Sequence, residues 1–412
     1  MKVIVANPGT GVYILETVNA YNDADYLYRY YTTFVSNKNV PFYNSINNPK
    51  IKKELDRRAI SQNLIEKTST KAFAEILRTI SSRFFNEKTT DLIYEWSEYS
   101  FDRWVASKLD SSIDIVHCYE HSSLETIKKA KKLGIFVVYE QPSQHHSFLT
   151  PILEEQFKLN PALGTSTSSL LVNKKSEVRN MRRNEELMLA DLIVCNSSFT
   201  KRTLLTANIP DSKINVVPLG FPTTKHRVSS NKKNNRLRFI YAGTSNIRKG
   251  IHILLDVWKQ NFSNRDDIEL FIIGKFDLPE SYRYTDIDNL HFVNSVPREE
   301  LLENFYDADV LILPTLADGF GMVITEAMSR GVCVMCTENS AGPDIITHEK
   351  DGLIFKANSR GSIFEIIQTW STRNDEISLM GKAAFETAKK YQWSDFRKNL
   401  IDSITKSFNE RK

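Results

Sequence analysis

The chain repeats one arrangement: a short, nearly continuous apolar run, then a longer amphipathic stretch, then another run. In the first half the runs are KVIVA, YLYRYYTTF, DIVHCYE, IFVVYE and DLIVCN. Val12 to Tyr21, Leu124 to Leu133 and Arg182 to Ala190 have helical spacing between or before them. Apolar runs with little alternation belong to strands covered on both faces, and their interleaving with helices predicts βαβ units on a parallel sheet. Pro218, Gly220 and Pro222 break the pattern, and a basic, acid-free stretch from Lys225 to Arg238 follows as a solvated linker. The alternation then restarts with RLRFIYAGT, IELFIIGK, LHFVNSV, DVLILPT and GVCVMCT.

Two Rossmann-like α/β domains account for this, residues 1–220 and 236–390. Residues 391–412 carry a last helix, Trp393 to Phe408, whose packing the sequence leaves open. A chain of 412 residues should hold two domains, because single cores rarely exceed roughly 250–300 residues. Residues 45–105 interrupt the first domain as a mostly helical insertion, and Asn160 to Ser176 reads as a mobile loop.

A net charge of +4 is too small to suggest a nucleic-acid partner, and 41% hydrophobic content is ordinary for a soluble protein. Cys118, Cys195, Cys333 and Cys336 all sit in apolar, strand-like settings. The CVMC pair lacks a second Cys or His pair to complete a zinc site, so core packing is expected. No long apolar run opens the chain and none reaches the roughly eighteen residues of a membrane span, so a cytoplasmic location is expected.

Three glycine turns follow strands: NPGTG at Asn7 to Gly11, GTSNIRKG at Gly243 to Gly250, and DGFGM at Asp318 to Met322. Ligands of doubly wound sheets bind at the carboxyl ends of strands, where glycine lets backbone N–H groups approach a phosphate. Each turn alone is as consistent with a plain strand-to-helix connection. Their combination says more: Arg248 and Lys249 place two cations beside one turn, while Asp318 and Glu326 offer carboxylates eight positions apart in ADGFGMVITEAMSRG. That set suits a ligand with an anionic middle and hydroxyl-bearing ends.

The stretches GTSNIRKGIHILLDVW, VPREELLENFYDADVLILPTLADGFGMVITEAMSRGVCVMCTENSAGPDIITHEKDGLIF and ADLIVCNSSFTKRTLLTANIPDSKINVVPLG resemble family 4 glycosyltransferases of the GT-B fold. The resemblance is strongest over residues 238–356. It implies two domains facing each other across a cleft, retention of anomeric configuration, and a nucleotide-sugar donor, UDP- or GDP-linked, with no further cofactor. It also implies a saccharide or lipid-linked acceptor, with surface polysaccharide or glycoconjugate synthesis as the setting.

Carried over by position, the family's acid pair falls on Asp318 and Glu326, the first toward the donor sugar and the second toward the ribose. Gly319 and the backbone N–H groups of Phe320, Gly321 and Met322 would face sugar and diphosphate. Lys249 matches the diphosphate lysine, and Gly243, Thr244 and Arg248 share its loop. His117 matches a histidine near the donor sugar, and Gly9, Thr10 and Gly11 match the loop that closes over phosphate and acceptor. Two positions depart from the pattern. Asp318 stands where glutamate is usual, and Thr244 stands where an arginine often follows the glycine, so Arg248 is expected to supply that cation.

His145 and His146 are candidates for the acceptor side, and a plain solvent-facing position explains them equally well. Glu185 and Glu186 read as helix surface, and Ser197 as a helix N-cap rather than a catalytic group. Basic clusters at Lys128, Lys129, Lys131 and Lys132, and at Lys52, Lys53, Arg57 and Arg58, could meet anionic lipid. No residue suggests a covalent nucleophile, and no Asp-x-Asp pair stands at a strand end, so no metal is expected. A sugar-nucleotide epimerase and a non-catalytic sugar-nucleotide-binding relative remain as alternatives.

Overall fold

The computed structural model describes residues 1–37, 43, 48, 52, 55–85, 87–165, 167–225 and 236–411. Two wholly parallel sheets organise it. The first contains β1 (Val3–Ala6), β2 (Leu27–Thr32), β3 (Thr68–Thr70), β4 (Ile115–Tyr119), β5 (Phe136–Gln141), β6 (Leu192–Cys195) and β7 (Ile214–Val216), in the order β3-β2-β1-β4-β5-β6-β7. The second contains β8 (Leu237–Ala242), β9 (Ile268–Ile273), β10 (Leu290–Val293), β11 (Val310–Leu313), β12 (Cys333–Thr337) and β13 (Leu353–Phe355), in the order β10-β9-β8-β11-β12-β13. Every residue of β1, β4, β5, β6, β11 and β12 is buried, as strands covered on both faces require.

Each sheet reverses its winding once, between β1 and β4 and between β8 and β11. At such a switch point the flanking helices diverge to opposite faces and leave a crevice at the strand ends. The loop after β8 carries Gly243 to Lys249 and the loop after β11 carries Asp318, so the second crevice gathers the predicted cations and acid.

Several expectations need correcting. Within the 45–105 segment the described residues include helices Gln62–Glu66, Ala72–Phe84 and Glu87–Ala106, but Thr68–Thr70 adds a sheet-edge strand. Three polar residues carry no apolar signal, and only backbone pairing with β2 recruits them. Residues 160–176 are not a free loop. They form two 3-10 turns, Pro161–Thr165 and Thr167–Leu171, and Asn160 Nδ2 donates to the Tyr282 hydroxyl of the other sheet's domain at 2.5 Å. Partners so distant in sequence leave no local trace. The basic linker lies mostly outside the described residues, as does Lys53.

The final helix, Trp393–Glu410, returns to the first domain and buries Phe396, Leu400 and Ile404. It packs on helix Val12–Asp23, where Arg397 reaches Glu16 at 3.0 Å, while the Phe136 and Phe408 rings meet edge-on with centroids 5.6 Å apart. The two connections between domains therefore run side by side. Phe221 N donates to Tyr391 O at 2.8 Å, and a Cβ on Gly220 would stand 2.6 Å from the Trp393 Cα. Among the described residues no helix is long and apolar enough to cross a membrane.

Candidate functional site

A cavity of about 320 Å3 opens at the strand ends of the second sheet, lined by Gly243, Thr244, Arg248, Lys249, Met322 and Glu326 among others. A second cavity, about 270 Å3, lies between the domains. Its walls include Glu120, Gln144, His146, Arg183, Arg248 and Asp318. Arg248 lines both, so the two spaces meet at the Arg248–Asp318 contact.

The Lys249 ammonium is hydrogen-bonded to one Asp318 oxygen, and Arg248 Nη1 lies 3.3 Å from the other. Burial alone would raise the Asp318 pKa, but the two cations outweigh it and hold the carboxyl below its ordinary range. Burial pulls the Lys249 pKa down from its usual value, and Arg248 adds to that against the opposite pull of Asp318. The cations of the loop after β8 rest on the acid of the loop after β11. Arg248 also donates to the Ala317 carbonyl at 2.9 Å, which fixes its guanidinium.

The loop between Asp318 and the helix Met322–Met328 supplies the second element. Gly321 has φ +79°, in the left-handed region, and Gly321 and Met322 line the first cavity. Among the described residues no protein group accepts from the N–H of Phe320, Gly321 or Met322. Three such donors beside two cations form a receptor for an anion with several oxygens. At the far end Glu326 is nearly buried, and its Oε1 accepts from Arg298 Nε at 2.7 Å. Among the described residues one Arg298 terminal nitrogen has no partner.

On the first-domain side the sequence reading is partly displaced. His117 is fully buried, with Nδ1 2.9 Å from the Tyr21 hydroxyl and Nε2 3.0 Å from Glu140 Oε2. It lines neither cavity and is a satisfied core group, because the third residue of a buried strand cannot reach the strand's end. The first residue past β4, Glu120, does face the cleft. Ser143 Oγ donates to it at 3.2 Å, and Arg183 helps hold its carboxyl below the usual range against burial. Position just beyond the strand, not histidine chemistry, was the signal that identifies it.

Gly9, Thr10 and Gly11 also line neither cavity. Gly9 O instead accepts from the Tyr30 hydroxyl at 2.8 Å, and Gly9 N donates to Asn7 Oδ1 at 2.7 Å. His146 faces the cleft. His145 caps the helix His146–Leu159 and lies 3.0 Å from Asn184, burial lowering its pKa to about 4.

Glu185 is exposed and pairs with Lys128 at 2.8 Å, whereas Glu186 is wholly buried, contrary to expectation. Glu186 accepts from the backbone N–H of His121 and Ser123 and from the Tyr139 hydroxyl, tying down the loop that carries Glu120. The helical period placed it on a surface that the loop after β4 then covered. Lys131 pairs with Asp191 at 2.5 Å and Arg58 with Glu75 at 2.6 Å, so both basic clusters are partly neutralised. Cys333 and Cys336 are buried, and burial pushes both thiols up to about 12, as inert core groups require.

Residues 222–387 match the family described as glycosyl transferases group 1. An uncharacterized glycosyltransferase of Methanocaldococcus jannaschii is 22% identical over 232 residues, covering 51% of this chain and 58% of that protein. The amylovoran biosynthesis glycosyltransferase AmsK of Erwinia amylovora is 24% identical over 230 residues, covering 52% and 55%. The chain thus spans little more than half the length of these curated relatives. Among solved structures, Anabaena HepE in complex with UDP-glucose superposes with a TM-score of 0.63 at 14% identity, covering 98% of this chain and 100% of that one. Sucrose-phosphate synthase from Thermosynechococcus elongatus gives 0.63 at 16% identity, with both chains fully covered. Residues 222–387 therefore resemble the glycosyl transferases group 1 family, and the whole chain carries the GT-B fold.

Proposed function

We propose that the protein is a retaining glycosyltransferase that moves a sugar from a nucleotide-sugar donor, UDP- or GDP-linked, to a saccharide or lipid-linked acceptor. One observation carries the reading: Lys249, Arg248 and three unpartnered backbone N–H groups converge beside a cavity that ends at Glu326. A diphosphate fits the cationic middle, with the nucleoside ribose at Glu326 and the sugar toward Asp318. Support comes from HepE, solved with UDP-glucose, and from AmsK, named for amylovoran biosynthesis.

In this reading Lys249 leaves Asp318 for the incoming diphosphate, and Asp318 is freed to accept from a sugar hydroxyl. As the bond to the anomeric carbon breaks, negative charge grows on the leaving diphosphate. Lys249, Arg248 and the loop amides already point at it, so the transition state gains more than the ground state. The acceptor enters through the cavity between the domains, and the leaving phosphate oxygen takes its proton on the same face, consistent with retention. Exclusion of water by the closed cleft protects the donor from hydrolysis. Exposed Lys129 and Lys132 give the first domain a basic face for an anionic membrane surface.

The test is incubation with UDP-glucose, UDP-galactose and GDP-mannose, following nucleotide diphosphate release and the product's anomeric signals by NMR. Slow release, accelerated by an acceptor glycoside and giving a retained anomer, supports the reading. A new sugar nucleotide instead would make the protein an epimerase, and binding without any turnover would make it a non-catalytic receptor.

A further inference from the structure

Between Asp318 and Phe320 the donor loop is held from across the cleft. Within its own domain the loop is pinned on either side: Asp318 N donates to Asn339 O at 2.9 Å, and Phe320 O accepts from Ala341 N at 3.0 Å. The Gly319 carbonyl has no such partner among the described residues of the second domain. It accepts from the Ser197 hydroxyl, and Thr200 Oγ1 lies 3.3 Å away. Both belong to the first domain, at the start of helix Ser198–Thr206.

The fit there leaves no slack. A Cβ on Gly319 would lie 2.1 Å from the Pro142 carbonyl oxygen and 2.7 Å from the Ser143 Cα, so only glycine lets the loop lie against that wall. Asn196 Nδ2 holds the same Pro142 oxygen at 3.1 Å. The neighbouring Ser198 N donates to the Asp344 carboxylate at 2.7 Å, and Arg202 reaches Asn339 Oδ1 at 3.2 Å, so the helix start is docked on the second domain at several points. Ser197 is fully buried and caps its own helix by accepting from Thr200 N at 3.1 Å.

A trans peptide is planar, with its C=O and N–H pointing in opposite directions. Anchoring the Gly319 carbonyl therefore sets where the Phe320 N–H points, and that N–H is one of the three without a protein acceptor. We propose that Ser197, assisted by Thr200, is a positioning residue for the donor site: its hydroxyl clamps the Gly319 carbonyl and thereby aims the Phe320 N–H at the donor diphosphate. The inference rests on the donor reading given above. It adds that the second domain's anion receptor is completed by a first-domain side chain that touches no substrate. When the domains part, the Gly319 carbonyl loses its Ser197 and Thr200 contacts, and one of the three amides loses its aim.

The experiment is calorimetric titration of the full chain with UDP and with GDP, alongside melting curves, for wild type, Ser197→Ala, Ser197→Thr and Thr200→Val. In parallel, Phe-selective 15N labelling follows the Phe320 amide, identified by its loss in Phe320→Leu. Ser197→Ala should weaken the tighter nucleotide tenfold or more and abolish its shift of the Phe320 signal. Ser197→Thr, which keeps both cap and donor, should restore both, and Thr200→Val, which keeps the cap, should cost about threefold. Loss of melting temperature in Ser197→Ala with unchanged affinity and an unchanged Phe320 shift would reduce Ser197 to a helix cap and overturn the proposal. Wild type that binds neither nucleotide would instead overturn the donor reading on which it rests.

Discussion

At the residue scale, the Lys249–Asp318 pair carries the most consequence. Removing one member of a buried pair leaves the other charge uncompensated, which commonly costs several kcal/mol. Lys249→Ala should therefore lower the melting temperature as well as activity. The loss of one preorganised charge-stabilising donor predicts a fall in kcat of roughly 10²–10³-fold, measured as nucleoside diphosphate release from the preferred donor. Glu326→Gln keeps the shape but removes the charge opposite Arg298. It should weaken nucleotide binding by roughly ten- to a hundredfold, the range for a charge-assisted hydrogen bond, with little effect on binding of free sugar. His117→Gln tests whether this histidine is a core group. It breaks the Tyr21–His117–Glu140 chain and should cost about 1–3 kcal/mol in chemical denaturation while nucleotide affinity stays within a factor of two. A large loss of nucleotide affinity at unchanged stability would return His117 to the site.

At the scale of elements, the long apolar strands were legible because covered strands need continuous hydrophobic runs, and DIVHCYE, IFVVYE and DVLILPT supply them. The short strands Thr68–Thr70, Ile214–Val216 and Leu353–Phe355 were not, since three residues give no period to read and their existence depends on a neighbour's free edge. The closing helix shows the same division. Its amphipathic spacing announced a helix, yet nothing local said that its apolar face belongs to the first domain. Two substitutions there separate kinds of contact. Leu400→Ala empties a fully buried position and should destabilise by about 2–5 kcal/mol. Arg397→Ala removes a partly exposed ion pair with Glu16 and should cost about 1 kcal/mol or less. Equal effects in chemical denaturation would mean that the helix is not docked through its apolar face.

For the whole molecule, the docking of the two domains is itself titratable. His252, on the second domain's helix Ile251–Asn261, places Nε2 2.9 Å from Gln156 Oε1 of the first domain. Burial, aided by Arg360, lowers its pKa from 6.5 to about 4, so it is neutral in the native state at physiological pH. A histidine depressed in this way leaves stability intact above pH 6.5 and removes it as pH falls toward 4, because the unfolded chain takes up the proton first. At pH 5 the loss attributable to His252 is about 2 kcal/mol. His252→Gln, which retains a donor toward Gln156, should show a correspondingly smaller drop in stability between pH 7 and pH 5. An identical pH profile for both proteins would refute that assignment.

Sequence alone determined the class of fold and the cast of the candidate site: parallel α/β alternation, a break near residue 220, Arg248 and Lys249 after β8, Asp318 after β11, and Glu326 on the helix that follows. These follow from burial and strand-end position, which act over a few residues and leave a local record. Tertiary structure decided what those residues do to one another. It set Lys249 against Asp318, drew Arg298 to Glu326, buried His117 and Glu186, and brought Glu120 to the cleft. It also pressed Gly319 onto Pro142 under the Ser197 hydroxyl. Each of these joins groups tens to hundreds of residues apart, and such a contact exists only once both domains have folded and met.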